Sequence, residues 1–234
     1  QNHGMSQEKN IDKSKYHSPK DVVNIARKYK CESISYTYNE PTIFYPYAKD
    51  IAIEAKKYGI KNVYVSNGFE SSEVIDDMKG LIDAVNIDLK CFNDKYYKKN
   101  LGGNLNQVLE NLKHFKANGI WVEVTTLLVP TKNDSKEELE SIARFIKEEL
   151  DEFTPWHISS FHPDYKDMDL PRTSFESLKL AHDIGKDFGL KYVYIGNIGF
   201  DNNTNCPKCN EIVLKRNRFE VLENSVKNGK CPKC

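Results

Sequence analysis

The feature that most narrows what this chain can fold into is an alternation. From residue 33 to residue 197, short apolar runs rich in Val and Ile take turns with longer stretches whose apolar residues recur every three to four positions. Short runs of β-branched residues suit strands, and a 3.6-residue period suits a helix with one buried face. A parallel strand pair needs a crossover long enough for a helix, so this alternation predicts parallel βαβ units. The strands are apolar almost throughout, as expected when helices cover both faces of a sheet. An open doubly wound sheet and a barrel both satisfy the pattern.

Six strands are expected, over 33–38, 61–65, 84–87, 121–129, 156–161 and 191–195. Ser18-Pro19-Lys20-Asp21 opens a helix, with Ser as N-cap, Pro at the first helical position and an acid in the first turn. Its buried face is read as Val22, Ile25 and Ala26. Pro41 opens a second helix through Phe44, Tyr47, Ile51 and Ala55. Ser71 caps a short one through Val74, Ile75 and Met78. Further helices are expected over 105–117, from Ser135 through Ile146, and over 174–188. Gln1 to Tyr16 is polar and aperiodic and reads as a loop. After Phe200 the texture changes to a polar linker, Asp201 to Asn205, and then a cysteine-paired tail. The domains expected are residues 1–200 and 201–234.

The carboxyl ends of the strands share one property, which is that each stops in polar or charged residues. These are Asn39 and Glu40, Ser66 and Asn67, Asp88 and Lys90, the Glu123-Thr125-Thr126 alternation, and His162. Ligands of barrel and open-sheet α/β folds bind at that end. One polar strand end only marks where a chain surfaces. Five, with acid, base, amide and imidazole represented, point to a site. Asp88 and Lys90 fall on the same side of an extended chain. They could hold the amino and carboxylate groups of an amino-acid-like ligand, and a structural ion pair fits equally well. Lys90 could also serve a Schiff-base lyase. His157, inside a strand, reads as a packed or hydrogen-bonded histidine.

The tail carries Cys206-Pro207-Lys208-Cys209 and Cys231-Pro232-Lys233-Cys234 around a hairpin-like segment, Ile212 to Leu214 and Phe219 to Leu222. Two such knuckles present four thiolates for a tetrahedral metal site, and a zinc ribbon is the expected form. Disulfides or iron are the competing readings. A closed four-cysteine site leaves no open coordination position, so it is structural. Such a tail could also make the chain a non-enzymatic adaptor for a protein or nucleic acid.

Basic and acidic residues number 34 each, which argues against a general nucleic-acid binder. There is no Gly-Lys-Ser/Thr phosphate loop, no Gly-x-Gly-x-x-Gly and no His-Glu-x-x-His. No apolar run approaches a membrane span and no signal peptide opens the chain, so a soluble, cytoplasmic protein is expected.

The strand ends taken together resemble a known family. Tyr38-Asn39-Glu40-Pro41-Thr42, Ser66-Asn67-Gly68, Asp88-Leu89-Lys90, Val122 to Pro130 with Asn133-Asp134, Thr154-Pro155-Trp156-His157 through Tyr165, and Tyr192 to Asn197 resemble the radical S-adenosylmethionine (SAM) enzymes. The resemblance is closest to the AmmeMemoRadiSam system type, related to pyruvate formate-lyase activating enzyme, and it includes the cysteine-paired tail. It implies a partial (β/α)6 TIM-like barrel with a C-terminal zinc ribbon. It implies a [4Fe-4S] cluster held by Cys-x3-Cys-x2-Cys, with S-adenosyl-L-methionine chelating the fourth iron and cleaved to a 5′-deoxyadenosyl radical. That radical would take hydrogen from a protein or small-molecule substrate that the sequence does not identify. By resemblance, Asn39 and Glu40 contact the amino group of the ligand, Asp88 and Lys90 contact the bound cofactor, and His162 lies near the adenosyl group. Ser66 and Asn67 line the same mouth. No residue is assigned as catalytic. The three cluster cysteines are absent, and Gln1-Asn2 resembles the pair that follows the third of them. The chain is therefore expected to be a fragment that begins just after the last cluster ligand, lacks the first strand and is inactive alone.

Overall fold

The computed structural model describes residues 16–165, 167–217 and 220–234. The loop expected before Tyr16, and Phe219 in the second tail strand, lie outside the described residues. The fold is mixed α/β, with parallel strands alternating with helices and an antiparallel sheet at the C-terminal end. It is the partial (β/α)6 type, with a four-cysteine tail. Two compact units can be distinguished, residues 1–88 with 103–123, and residues 89–102 with 124–234.

In the first unit, α1 (Pro19–Lys28) begins with a capping box: Asp21 N donates to the Ser18 hydroxyl, and Ser18 N donates to the Asp21 carboxylate. Its buried residues are Val23 and Ala26, whereas Ile25 is 46% exposed. Ala26 is buried as expected, whereas Val22 and Ile25 are corrected in favour of Val23, because residues four and seven after Pro19 share one stripe. Strand β1 (Ser33–Tyr36) pairs in parallel with β2 (Lys61–Ser66), and β2 with β3 (Ala84–Asp88). β1 stops two residues short of the expected Tyr38, which is exposed. Between β1 and β2 lie a 3₁₀ turn, Pro41–Phe44, and α2 (Tyr45–Lys56). α3 (Ser72–Met78) links β2 to β3, and α4 (Leu105–Ala117) starts from an Asn104 cap. Asn62, fully buried in β2, uses its whole amide. Nδ2 donates to the carbonyls of Ala52 and Leu81, each at 3.1 Å, and Oδ1 accepts from the Tyr36 hydroxyl at 2.9 Å. A buried amide is tolerated only when paired in this way.

In the second unit, β4 (Trp121–Leu128, of which residues 124–128 belong here) pairs in parallel with β5 (Trp156–Ser160), and β5 with β6 (Val193–Gly196). A short helical segment, Asp94–Tyr96, runs on as a π-helical turn, Tyr97–Leu101. α5 (Lys136–Phe145) follows β4, and α6 (Phe175–Asp187) follows β5. Trp156 is fully buried, and its indole N–H donates to Thr126 Oγ1 at 3.0 Å. Thr126 donates in turn to the Leu89 carbonyl at 2.9 Å. Thr126 is therefore a core residue and not part of a polar strand end, which corrects that member of the alternation. His157 stacks on Tyr194, with ring centroids 5.4 Å apart, as its packed reading implies.

The tail forms the antiparallel order β7-β8-β9, with β7 at Thr204–Asn205, β8 at Ile212–Asn217 and β9 at Glu220–Asn224. Two residues of the expected linker are thus strand. They pair with Leu214 and Ile212 of β8, and Arg216 ties the same stretch, its N–H donating to Asn203 Oδ1 at 3.0 Å and its guanidinium to Asn202 O and Thr204 Oγ1. Among the described residues, no helix is long and apolar enough to cross a membrane.

Candidate functional site

The first unit gathers its polar strand ends around one carboxylate. β1 ends before Pro41, and Glu40 becomes the N-cap of the following turn. Glu40 Oε1 accepts from Thr42 N at 3.2 Å, Thr42 Oγ1 at 2.8 Å and Ser66 Oγ at 2.8 Å. Glu40 Oε2 accepts from Asn67 N at 2.9 Å. Four protein donors thus fix the carboxylate, and Oε2, with one bond, retains a lone pair for an incoming cation. Ser66 at the end of β2 is buried, while Asn39 and Asn67 are exposed. The Asn67 side chain accepts from Phe69 N at 3.0 Å, which tightens the loop.

That loop is held from beneath. Asn111, buried on α4, donates to the carbonyls of Gly68 at 3.0 Å and Glu70 at 2.8 Å. Gly68 has φ +77°, and a Cβ there would lie 2.6 Å from Ile87 Cγ2 and 3.1 Å from Val108 Cγ1. The turn can approach β3 and α4 only because no side chain intervenes. Glu70 is 1% exposed. Its Oε1 contacts Ser66 Oγ closely and lies 3.2 Å from Thr42 Oγ1, while its Oε2 is buried with no hydrogen-bond partner among the described residues. Burial pushes the Glu70 carboxyl above its ordinary range, against the lowering effect of Ser66, and the nearby Glu40 charge adds to the rise. Burial likewise raises the Tyr64 phenol, which sits in the same group.

The structure therefore brings together Glu40, Ser66 and Asn67, with Asn39 next to Glu40 in the chain. Asp88 is the last residue of β3. Asp88 and Lys90 are half-buried and alternate with the buried Ile87 and Leu89. In the second unit, Lys90 N donates to the Tyr97 hydroxyl at 3.0 Å and Lys90 O accepts from Asn133 Nδ2 at 2.6 Å, so the backbone under this lysine is fixed. His162 is exposed just after β5. Thr173 steadies this strand end by accepting from Phe161 N at 2.7 Å. The residues that sequence reasoning missed are Thr42, Tyr64, Glu70 and Asn111. An asparagine between Val108 and Leu112 on the apolar stripe of α4 was the available signal for Asn111.

The four tail cysteines converge, with all Sγ atoms within 4.8 Å of one another. Cys206 and Cys234 sulfurs are 3.5 Å apart, and Cys209 and Cys231 sulfurs 3.7 Å apart. These separations exceed an S–S bond of about 2.05 Å. They approach the ~3.8 Å edge of a tetrahedron with metal–sulfur bonds of about 2.3 Å. Backbone N–H groups of Cys209 and Lys208 lower the Cys206 thiol to about 6, while contact with the Cys209 and Cys206 sulfurs raises the Cys234 thiol to about 12, so the thiols interact closely. A cavity of about 270 Å³ between α6, β6 and the tail is lined by His182, Lys186 and Lys191 among others. Its polar groups already serve the fold: Lys186 Nζ donates to Lys191 O at 2.7 Å, and Asn202 bridges Ile195 N and O.

Residues 2–146 match the family model described as the Radical SAM superfamily. An uncharacterized protein of Methanocaldococcus jannaschii is 41% identical over 221 residues, covering 93% of this chain and 66% of that protein. The chain thus spans just under two thirds of the length of that relative. Among solved structures, a domain of pyruvate-formate lyase-activating enzyme from Bacteroides vulgatus superposes with a TM-score of 0.62 at 17% identity, covering 70% of this chain and 98% of that domain. SuiB from Streptococcus suis bound to S-adenosylmethionine superposes with a TM-score of 0.62 at 14% identity, covering 77% of this chain and 42% of SuiB. At such identities the likeness is one of fold.

Proposed function

The chain belongs to the radical SAM superfamily, and we propose that its strand ends hold S-adenosyl-L-methionine for a member of the AmmeMemoRadiSam system type, akin to activating enzymes. The observation that carries this reading is Glu40. A carboxylate fixed by four donors, with acceptor capacity left on Oε2, suits the α-ammonium group of an amino-acid-like ligand. Asn39 would assist it, Ser66 and Asn67 would shape the mouth, Asp88 and Lys90 would contact the bound cofactor, and His162 would lie near the adenosyl group.

The [4Fe-4S] cluster of the family supplies, when bound, the electron that cleaves the sulfonium. The six cysteines here, at 31, 91, 206, 209, 231 and 234, include no Cys-x3-Cys-x2-Cys. Residues 1–234 therefore do not themselves offer that ligand set, and the reading places it in a segment preceding Gln1. Tail residues 201–234 are proposed as a separate ribbon, with zinc on Cys206, Cys209, Cys231 and Cys234 in a structural role. The substrate, a protein or a small molecule, is met in the cytoplasm.

The test uses the protein extended upstream and reconstituted anaerobically with iron and sulfide. Reduction in the presence of S-adenosylmethionine is expected to release 5′-deoxyadenosine, and no release would overturn the reading. Without reductant, Glu40→Gln is expected to weaken S-adenosylmethionine binding at least about tenfold, since it removes one charged contact. Unchanged binding would remove Glu40 from the ligand site.

A further inference from the structure

The contacts among Glu40, Thr42, Ser66 and Glu70 contain a proton deficit. Ser66 Oγ is within hydrogen-bond reach of Glu40 Oε1, at 2.8 Å, and in close contact with Glu70 Oε1. Thr42 Oγ1 lies 2.8 Å from Glu40 Oε1 and 3.2 Å from Glu70 Oε1. That makes four oxygen–oxygen contacts, and the two hydroxyls carry one proton each. If both glutamates were ionised, Ser66 could satisfy only one of them. The other contact would set a lone pair against a carboxylate at close range. Glu70 Oε2 adds to the difficulty, being buried without a donor among the described residues, and an ionised oxygen there would be strongly penalised.

We propose that Glu70 is a positioning residue that remains a neutral carboxylic acid at neutral pH and donates its proton to Ser66 Oγ, which donates its own to Glu40. Thr42 donates to Glu40 as well, so Glu40 is the single anion of the group. The titratable groups facing Glu70 are Glu40 from the loop after β1 and Tyr64 from β2, and Tyr45 of α2 faces Tyr64. Among these there is no cation to stabilise a second carboxylate charge. Both phenols are themselves raised by burial. The arrangement has a chemical consequence. Two ionised glutamates would suit a divalent cation, whereas one anion with an oriented, partly open Oε2 suits one ammonium group. That consequence rests on the reading of Glu40 as the ammonium partner, while the protonation of Glu70 does not.

Isotope-edited infrared spectroscopy of the full-length protein, labelled with ¹³C-carboxyl glutamate, tests this at pH 7. The wild type is expected to show a protonated-carboxyl carbonyl band that Glu70→Gln removes. A wild-type spectrum with carboxylate bands alone would overturn the proposal. Gln retains a donor toward Ser66 and Ala does not. Without reductant, Glu70→Gln is therefore expected to bind S-adenosylmethionine within about threefold of wild type, and Glu70→Ala about tenfold more weakly. Equal losses in the two variants would overturn the donor role. Glu40→Gln separates the two ideas. If it leaves affinity unchanged, the ligand reading falls, and the infrared result still decides the state of Glu70.

Discussion

Asn67 donates its backbone N–H to Glu40 Oε2 at 2.9 Å, so the loop after β2 is tied to the loop after β1 through the carboxylate proposed to meet the ligand. One side chain then serves both architecture and binding. Glu40→Ala removes the acceptor for four donors, two of them backbone N–H groups. Water can replace some of these bonds at the half-exposed end. A loss of about 1–3 kcal/mol in unfolding free energy is expected, read from urea denaturation. A variant as stable as wild type would show that the two loops are held by other contacts.

Gly68→Ala is expected to be worse than its one added methyl suggests. The backbone at φ +77° disfavours an L residue, and the new Cβ would meet Ile87 Cγ2 at 2.6 Å. Strain and overpacking together are expected to cost about 2–4 kcal/mol. Urea denaturation checks this, and proteolysis of the 66–70 loop locates the damage. Asn111→Ala is the softer counterpart. It unpairs two buried carbonyls without crowding and is expected to cost about 1–3 kcal/mol.

These residues also show what sequence could and could not reveal. The alternation of strands and helices was legible because burial on both faces of a parallel sheet leaves an unmistakable period. That Glu40, Ser66 and Asn67 meet was legible because the carboxyl ends of neighbouring parallel strands fall on one edge of the sheet. Glu70 was not, because an acid in a loop is usually solvated. Only the fold back of the Asn111-anchored turn buries it. Thr126 misled in the opposite direction, since a threonine near a strand end reads as surface until Trp156 is found to need its oxygen. The face of α1 was read correctly at Ala26 but not at Ile25, which is apolar enough to suggest burial yet remains 46% exposed.

His182 on α6 should make stability depend on pH. Burial, helped by the charges of Lys186 and Lys179, holds its pKa below the ordinary 6.5, and hydrogen bonding to Asp183 only partly offsets this. The Phe200 ring lies 5.7 Å away. With the folded pKa depressed, the unfolded chain binds the proton first as pH falls below about 6.5. The folded state therefore loses this contribution on acidification and regains it as pH rises. His182→Phe, which keeps an apolar ring without a titrating group, is expected to flatten the dependence of the urea midpoint between about pH 5 and pH 7. An unchanged slope in the variant would place the acid sensitivity elsewhere.

The tail has almost no core of its own. Among its described residues only Cys206 and Val213 are buried, and β9 is exposed along its whole length. Three short antiparallel strands with so little apolar burial are marginal unaided, so the metal proposed on the four thiolates is expected to supply the missing stabilisation. Elemental analysis of protein purified without added metal is expected to give about one zinc per chain, the complement of one four-thiolate site. Removing the metal with a chelator under reducing conditions is expected to abolish hydrogen-exchange protection across β7, β8 and β9. Strands β4, β5 and β6 do not share that dependence, because Trp156 and its neighbours form an apolar core. Their protection should survive. Cys209→Ser should reproduce the chelated state without any chelator present. A tail that keeps its protection when demetallated would show that packing around Val213 suffices. Iron in the purified protein at the same ratio would keep the structural role and correct the metal.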